Sequence, residues 1–178
     1  MKGQRYHEVV RDLSDVLSRS PENPEARLYL ALAYSKIGEF ERSEKEFREA
    51  VRLHPDNAGI RANLALALME MGRAAEAISE GKTALRDLPR QPKNQFQTAV
   101  ALFRIPELRD DLAGFLEKVV ELQPALGQAH LMLADIYLRR QDLDLAIRSM
   151  EAARKAPNPP PWLEAKIGEL RAQRRDGR

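Results

Sequence analysis

The chain has 178 residues, 43% hydrophobic and 31% charged, with a net charge of +2. That is apolar enough to fold and too charged for a chain embedded in a bilayer, since no stretch approaches the ~20 apolar residues of a spanning helix. Cysteine is absent, which excludes disulfides, thiolate metal sites and cysteine nucleophiles.

The prolines mark a period. Pro21, Pro55 and Pro89 recur at a strict period of 34, and Pro124 comes one position late. A fixed spacing of this length is the mark of a stacked repeat array rather than a single layered core. The predicted elements follow it in chain order. Residues 4–20 carry Tyr6, Val9, Leu13, Val16 and Leu17 at helical spacing. These lie one full period before Phe40, Ser43, Phe47, Ala50 and Val51. The segment therefore reads as the second helix of a repeat whose first helix is not in the chain, with the half repeat spanning 3–23. Two readings stay open, a fragment of a longer array or a native end helix. The polar outer face that end repeats need favours the fragment.

Residues 24–57 form the first whole unit. Asn23 is placed to cap a helix that starts at Pro24, where the missing N–H costs nothing. Ala26, Leu30, Ala33, Tyr34 and Ile37 give its apolar stripe, and Gly38 ends it. A second helix carries Phe40, Phe47, Ala50 and Leu53, and Pro55 closes it. Residues 58–91 repeat the plan after Asn57, with Gly72 falling one period beyond Gly38. Residues 92–126 depart from it. They number 35, Ile105-Pro106-Glu107 replaces the glycine turn, and Val100, Leu112 and Val119 stand where small residues are expected. Two helices are still predicted, at about 93–105 and 107–122. Residues 127–160 return to the pattern. Pro159 to Pro161 then open an end helix over 161–175, with Trp162, Leu163, Ile167 and Leu170 as its apolar face.

The unit resembles a tetratricopeptide repeat, whose signature is W-x2-L-G-x2-Y, then A-x3-F, then P. Leu30, Ala31, Tyr34, Phe47 and Pro55 carry the match in residues 24–57. Leu64, Ala65, Leu68, Ala77 and Pro89 carry it in 58–91. Leu133, Ala134, Tyr137 and Ala146 carry it in 127–160, with Met150 at the phenylalanine place and His130 at the tryptophan place. The resemblance implies an all-α, right-handed superhelical solenoid of antiparallel helix hairpins, a single array over residues 1–178. It also implies that Ala31, Ala65 and Ala134 let paired helices approach closely, together with Ala50, Ala84 and Ala153 from the second helices.

Nothing in the sequence points to catalysis. His7, His54 and His130 lie in three different hairpins, without the i, i+4 spacing of a helical metal site. The carboxylates of 39–49 interleave with Arg42, Lys45 and Arg48, as on a solvated helix face. No glycine-rich phosphate loop or nucleophile elbow occurs. Residues 139–178 hold a net +4, but without the interleaved aromatics of a nucleic-acid site. The expectation is a non-enzymatic chain with no cofactor and no metal, no nucleic-acid partner and no membrane insertion.

The resemblance further implies a concave surface lined by first helices, which in this family binds a peptide or helix. The groove positions it implies are Leu28, Tyr29, Leu32, Lys36, Asn63, Leu66, Met69, Gln97, Arg104, Leu131, Asp135 and Leu138. Glu25, Ser35, Ala62, Glu70, Thr98, Ala101, Gln128, Met132 and Arg139 accompany them. Chaperone-binding members of the family hold a C-terminal carboxylate with lysine, arginine and asparagine. Here Leu28 and Leu32 occupy two of those places, and Asn94 and Thr98 stand where bases are needed. A largely apolar groove for a peptide or amphipathic helix is expected instead. The alternatives are a self-assembling array, through Val9, Leu13 and Leu17 on the unpaired first segment, and the recruiting arm of a larger enzyme or envelope assembly.

Overall fold

The computed structural model describes residues 2–88 and 95–176. Among them every regular element is helical. Pro89, Asn94 and Arg178 lie outside the described residues. The helices are α1 (Lys2–Arg19), α2 (Pro24–Lys36), α3 (Phe40–Leu53), α4 (Ala58–Glu70), α5 (Ala74–Asp87), α6 (Gln95–Phe103), α7 (Ala113–Leu122), α8 (Gly127–Arg139), α9 (Leu143–Arg154) and α10 (Leu163–Asp176). They fall into two compact units, one reaching to Leu108 and one beginning at Arg109. The hairpin expected over 92–126 is thus divided, α6 belonging to the first unit and α7 to the second.

In the first unit, α2 pairs with α3 and α4 with α5. Local chemistry sets the boundaries. The Asn23 side chain accepts from the Ala26 N–H at 2.9 Å, and Asn57 from Ile60 at 3.1 Å. Gly38 and Gly72 take φ of 81° and 74°, a left-handed conformation that glycine adopts without a Cβ clash. Each closes a C-cap in which the following N–H reaches back along the helix, Glu39 to Tyr34 and Arg73 to Leu68.

Packing within each hairpin depends on small residues. Ala31 and Ser43 face one another fully buried, and the Ser43 hydroxyl donates to the Ala31 carbonyl at 2.8 Å. Ala65 and Ala77 are their fully buried counterparts one period on. Phe47, Leu64 and Leu68 fill the core around them.

The tryptophan place of both hairpins holds arginine. Arg27 bonds Glu46 of α3 at 2.6 Å and the Pro21 carbonyl at 2.7 Å. Arg61 repeats this with Glu80 of α5 at 2.8 Å and Pro55 at 2.6 Å. One guanidinium thus ties first helix, second helix and preceding turn.

The phenylalanine place of the second hairpin holds Gly81. The volume left there is filled from α6 and the chain after it. Leu102, Ile105 and Leu108 are fully buried, and all three line the bare face of Gly81. Leu108 arrives on a 3-10 turn, Pro106–Leu108.

The second unit opens on another 3-10 turn, Asp110–Leu112. The helix expected from 107 begins only at Ala113. Pro106 has no N–H to give a continuous helix, and the extra residue of this stretch is absorbed in the two tight turns. α8 and α9 form the regular hairpin, with Ala134 and Ala146 fully buried. Asp142 caps α9 through the Leu145 N–H at 3.0 Å. His130, at the tryptophan place, is buried with Nε2 3.0 Å from the Pro124 carbonyl, so it packs as expected. The Tyr137 hydroxyl donates to Glu117 at 2.8 Å. Its pKa is pushed up to about 12, by burial first and then by the Glu117 carboxylate, so it stays protonated and a donor.

Leu163, Ile167 and Leu170 of α10 are buried against Ala134, Ile147, Met150 and Ala153. Trp162, expected on that apolar face, instead lies ahead of the helix and is 53% exposed. It precedes the first helical turn, so its side chain is not carried onto the stripe.

The glycine place of this hairpin is Gln141, with φ of 61°. A side chain there costs about 1 kcal/mol relative to glycine, less the larger unfolded-state entropy that glycine brings. Gln141→Gly is expected to stabilise the second unit by about 0.5 kcal/mol. Trp162, the chain's sole tryptophan, reports that unit's unfolding by fluorescence.

Candidate interaction surface

The first helices of the first unit, α2, α4 and α6, follow one another as neighbours, and α6 packs on α4. The period places Leu28, Tyr29, Leu32 and Lys36 of α2 at the same positions as Ala62, Asn63, Leu66 and Glu70 of α4. Burial sorts them. Ala62 is fully buried and cannot meet a ligand. Leu28, Leu32 and Met69 are half-buried and lean on the core cluster. Leu66 is half-buried as well, and Tyr29 is 58% exposed. Asn63 donates to the carbonyl of Gly59 at 2.8 Å, which occupies its amide within its own helix.

In α6 the expected register slips by one residue. Thr98 and Ala101 were expected on the surface, with Val100 at the close helix approach. Instead Ala99 is the fully buried small residue, and Thr98 is buried beside it. Ala101 is half-buried. The strict period of 34 runs unbroken from Ala31 through Ala65 to Ala99. The extra residue comes later, after Leu102. The surface positions of α6 and of the residue after it are therefore Phe96, Gln97, Val100, Phe103 and Arg104. Phe96, Val100 and Phe103 are half-buried, and Gln97 and Arg104 are exposed. These three apolar residues are what the sequence reading missed. Counting two periods forward from Leu28 and Leu32, and one from Met69, finds them.

In the second unit, Leu131, Asp135 and Leu138 share one face of α8. Leu131 and Leu138 are half-buried against the α9–α10 cluster, and Asp135 binds Arg109 at 3.2 Å. Met132, expected beside them, is buried. These residues take part in packing and ion pairing within their unit, as Leu28, Leu32 and Met69 take part in packing within theirs. On α1, Val9 and Val16 are exposed, while Leu13 and Leu17 are half-buried.

Among the described residues no cluster of histidine, aspartate or glutamate is placed to hold a metal ion. No described helix is long and apolar enough to cross a membrane.

The tetratricopeptide repeat model matches residues 30–92 and 93–160. The chain belongs to the tetratricopeptide repeat family. No curated protein matches it in sequence. Solved structures of tetratricopeptide proteins share its fold. Yeast Tom70 superposes with a TM-score of 0.73 at 21% identity, over 97% of this chain but 38% of that one. The chain thus spans well under half of Tom70. PilW, a type IV pilus biogenesis factor, gives 0.71 at 22% identity, over 97% of this chain and 81% of the other. YrrB, described as having an unusual peptide-binding site, gives 0.64 at 14% identity, over 93% and 84%. At these identities the likeness is one of fold. The repeats themselves make the chain a scaffold for protein–protein interaction.

Proposed function

We propose that the first unit captures an amphipathic helix or apolar peptide on the face formed by α2, α4 and α6. One observation carries the reading. Leu32, Leu66 and Val100 stand at the same position of three successive first helices, and all are half-buried rather than sealed. Phe96 and Phe103 extend the strip and Tyr29 adds an exposed aromatic, a residue type enriched where proteins bind. A continuous apolar strip of this sort marks an interaction surface.

Binders selected from a displayed library of amphipathic helices provide the test. Leu66→Glu and Val100→Glu are each expected to weaken them roughly 30-fold, the loss of one buried aliphatic anchor. Helix content by circular dichroism should be unchanged. Binders that hold equally well to both variants would reject the face.

A further inference from the structure

We propose that the partner of the first unit is a helix with an acidic flank, and that Lys36 receives that flank. The inference rests on the face just described and adds the charge and orientation of what lies on it.

The apolar strip is bounded by charge, and the two edges differ. At the last turn of α2 and of α4, and just after the end of α6, stand Lys36, Glu70 and Arg104, one period apart. Glu70 lies 3.6 Å from Arg104. Lys36 is exposed and has no carboxylate within ion-pair reach among the described residues. The nearest acid along the chain, Glu39, is taken by Arg42 at 3.7 Å. One carboxylate therefore stands among two cations, and the edge has a surplus positive charge at its α2 end. The opposite edge begins at Glu25, exposed in the first turn of α2. The helix between the two runs about 16 Å at ~1.5 Å per residue. Leu28 and Leu32 lie between them.

A partner helix, about 10–12 Å across, fits between these edges when it crosses the first helices. Neighbouring packed helices are roughly 8–10 Å apart, close to the ~10.5 Å between residues i and i+7 of a helix. Leu32, Leu66 and Val100 can then each meet one apolar residue of a partner repeating at that interval. Its flank beside Lys36 is favoured when acidic, and its flank beside Glu25 is not.

Two synthetic peptides test this. Both carry leucine at i, i+3, i+7, i+10 and i+14, with glutamine on one flank. The other flank is glutamate in one peptide and lysine in the second. Calorimetric titration at low salt is expected to favour the glutamate peptide about fivefold, the scale of an exposed ion pair. Lys36→Glu should reverse the order, and raised salt should erase it. Equal affinities, or an order that survives Lys36→Glu, would overturn the inference. If the peptides bind without charge preference but Leu66→Glu still weakens both, only this inference fails. If neither binds, the face itself fails with it.

Discussion

Gly81→Leu is expected to destabilise the first unit by about 3 kcal/mol, the upper range for overpacking a filled core. The expectation runs against helix propensity. A glycine inside α5 costs about 1 kcal/mol relative to alanine, so an unencumbered Gly81 would gain from any side chain. Here a Cβ on Gly81 falls on the Leu108 Cδ1, with Leu102 Cδ2 at 3.5 Å and Ile105 Cδ1 at 3.6 Å. The position is the counterpart of Phe47, which fills the equivalent space in the preceding hairpin from within its own helix. In the second hairpin the space is filled from outside, by Leu108. Leu108→Ala should therefore cost about 3 kcal/mol by leaving a cavity. The two changes together should cost clearly less than their sum, because the new leucine occupies the volume vacated. A coupling of about 2 kcal/mol is expected from the double-mutant cycle in urea unfolding followed by circular dichroism. If Gly81→Leu is neutral or stabilising, Leu108 does not occupy the phenylalanine place.

That exchange also shows what could and could not be read from the sequence. The hairpins, their asparagine caps and their glycine turns were legible because each follows from local chemistry repeated at one interval. Asn23 and Asn57 cap as expected, and Gly38 and Gly72 take the left-handed turn. The irregular stretch was harder, because a count shows that it holds one extra residue but not where that residue lies. Counting back from Ala134 puts Val100 at the close approach, whereas counting forward from Ala65 puts Ala99 there. Only the burial of Ala99 decides between them. The one-residue slip carried the groove assignments Thr98 and Ala101 with it and hid Phe96, Val100 and Phe103. Gln141 was missed for a related reason. The turn geometry is imposed by the helices it joins, so a non-glycine residue can be held there at a cost. Packing of Leu131 and Leu138 against the cluster that α10 completes depends on where a further helix docks, which periodicity does not encode.

Arg61→Ala is expected to cost about 2 kcal/mol, below the roughly 3–5 kcal/mol of a fully buried broken pair because some exposure remains. Arg61 and Glu80 retain 16% and 24% of their side-chain exposure. The Arg61 guanidinium reaches two acceptors, the Glu80 carboxylate at 2.8 Å and the Pro55 carbonyl at 2.6 Å. Alanine leaves both acceptors without this donor, Glu80 in a partly desolvated position. Lysine keeps the charge but not the fork, so Arg61→Lys should recover only part of the loss. The family signature places tryptophan here, which suggests a stronger comparison. Arg61→Trp alone should still be destabilising, because Glu80 keeps its charge and loses its partner. Arg61→Trp with Glu80→Leu should return to within about 1 kcal/mol of the starting protein, since an apolar pair can replace a buried ion pair without loss. The Arg27–Glu46 bond repeats the geometry one period earlier, at 2.6 Å with 18% and 16% exposure, and predicts the same order of effects there. Thermal unfolding of the four variants would show it. An Arg61→Ala variant within about 0.5 kcal/mol of the parent, the usual range for an unconstrained surface change, would mean that the hairpin closes without this bond.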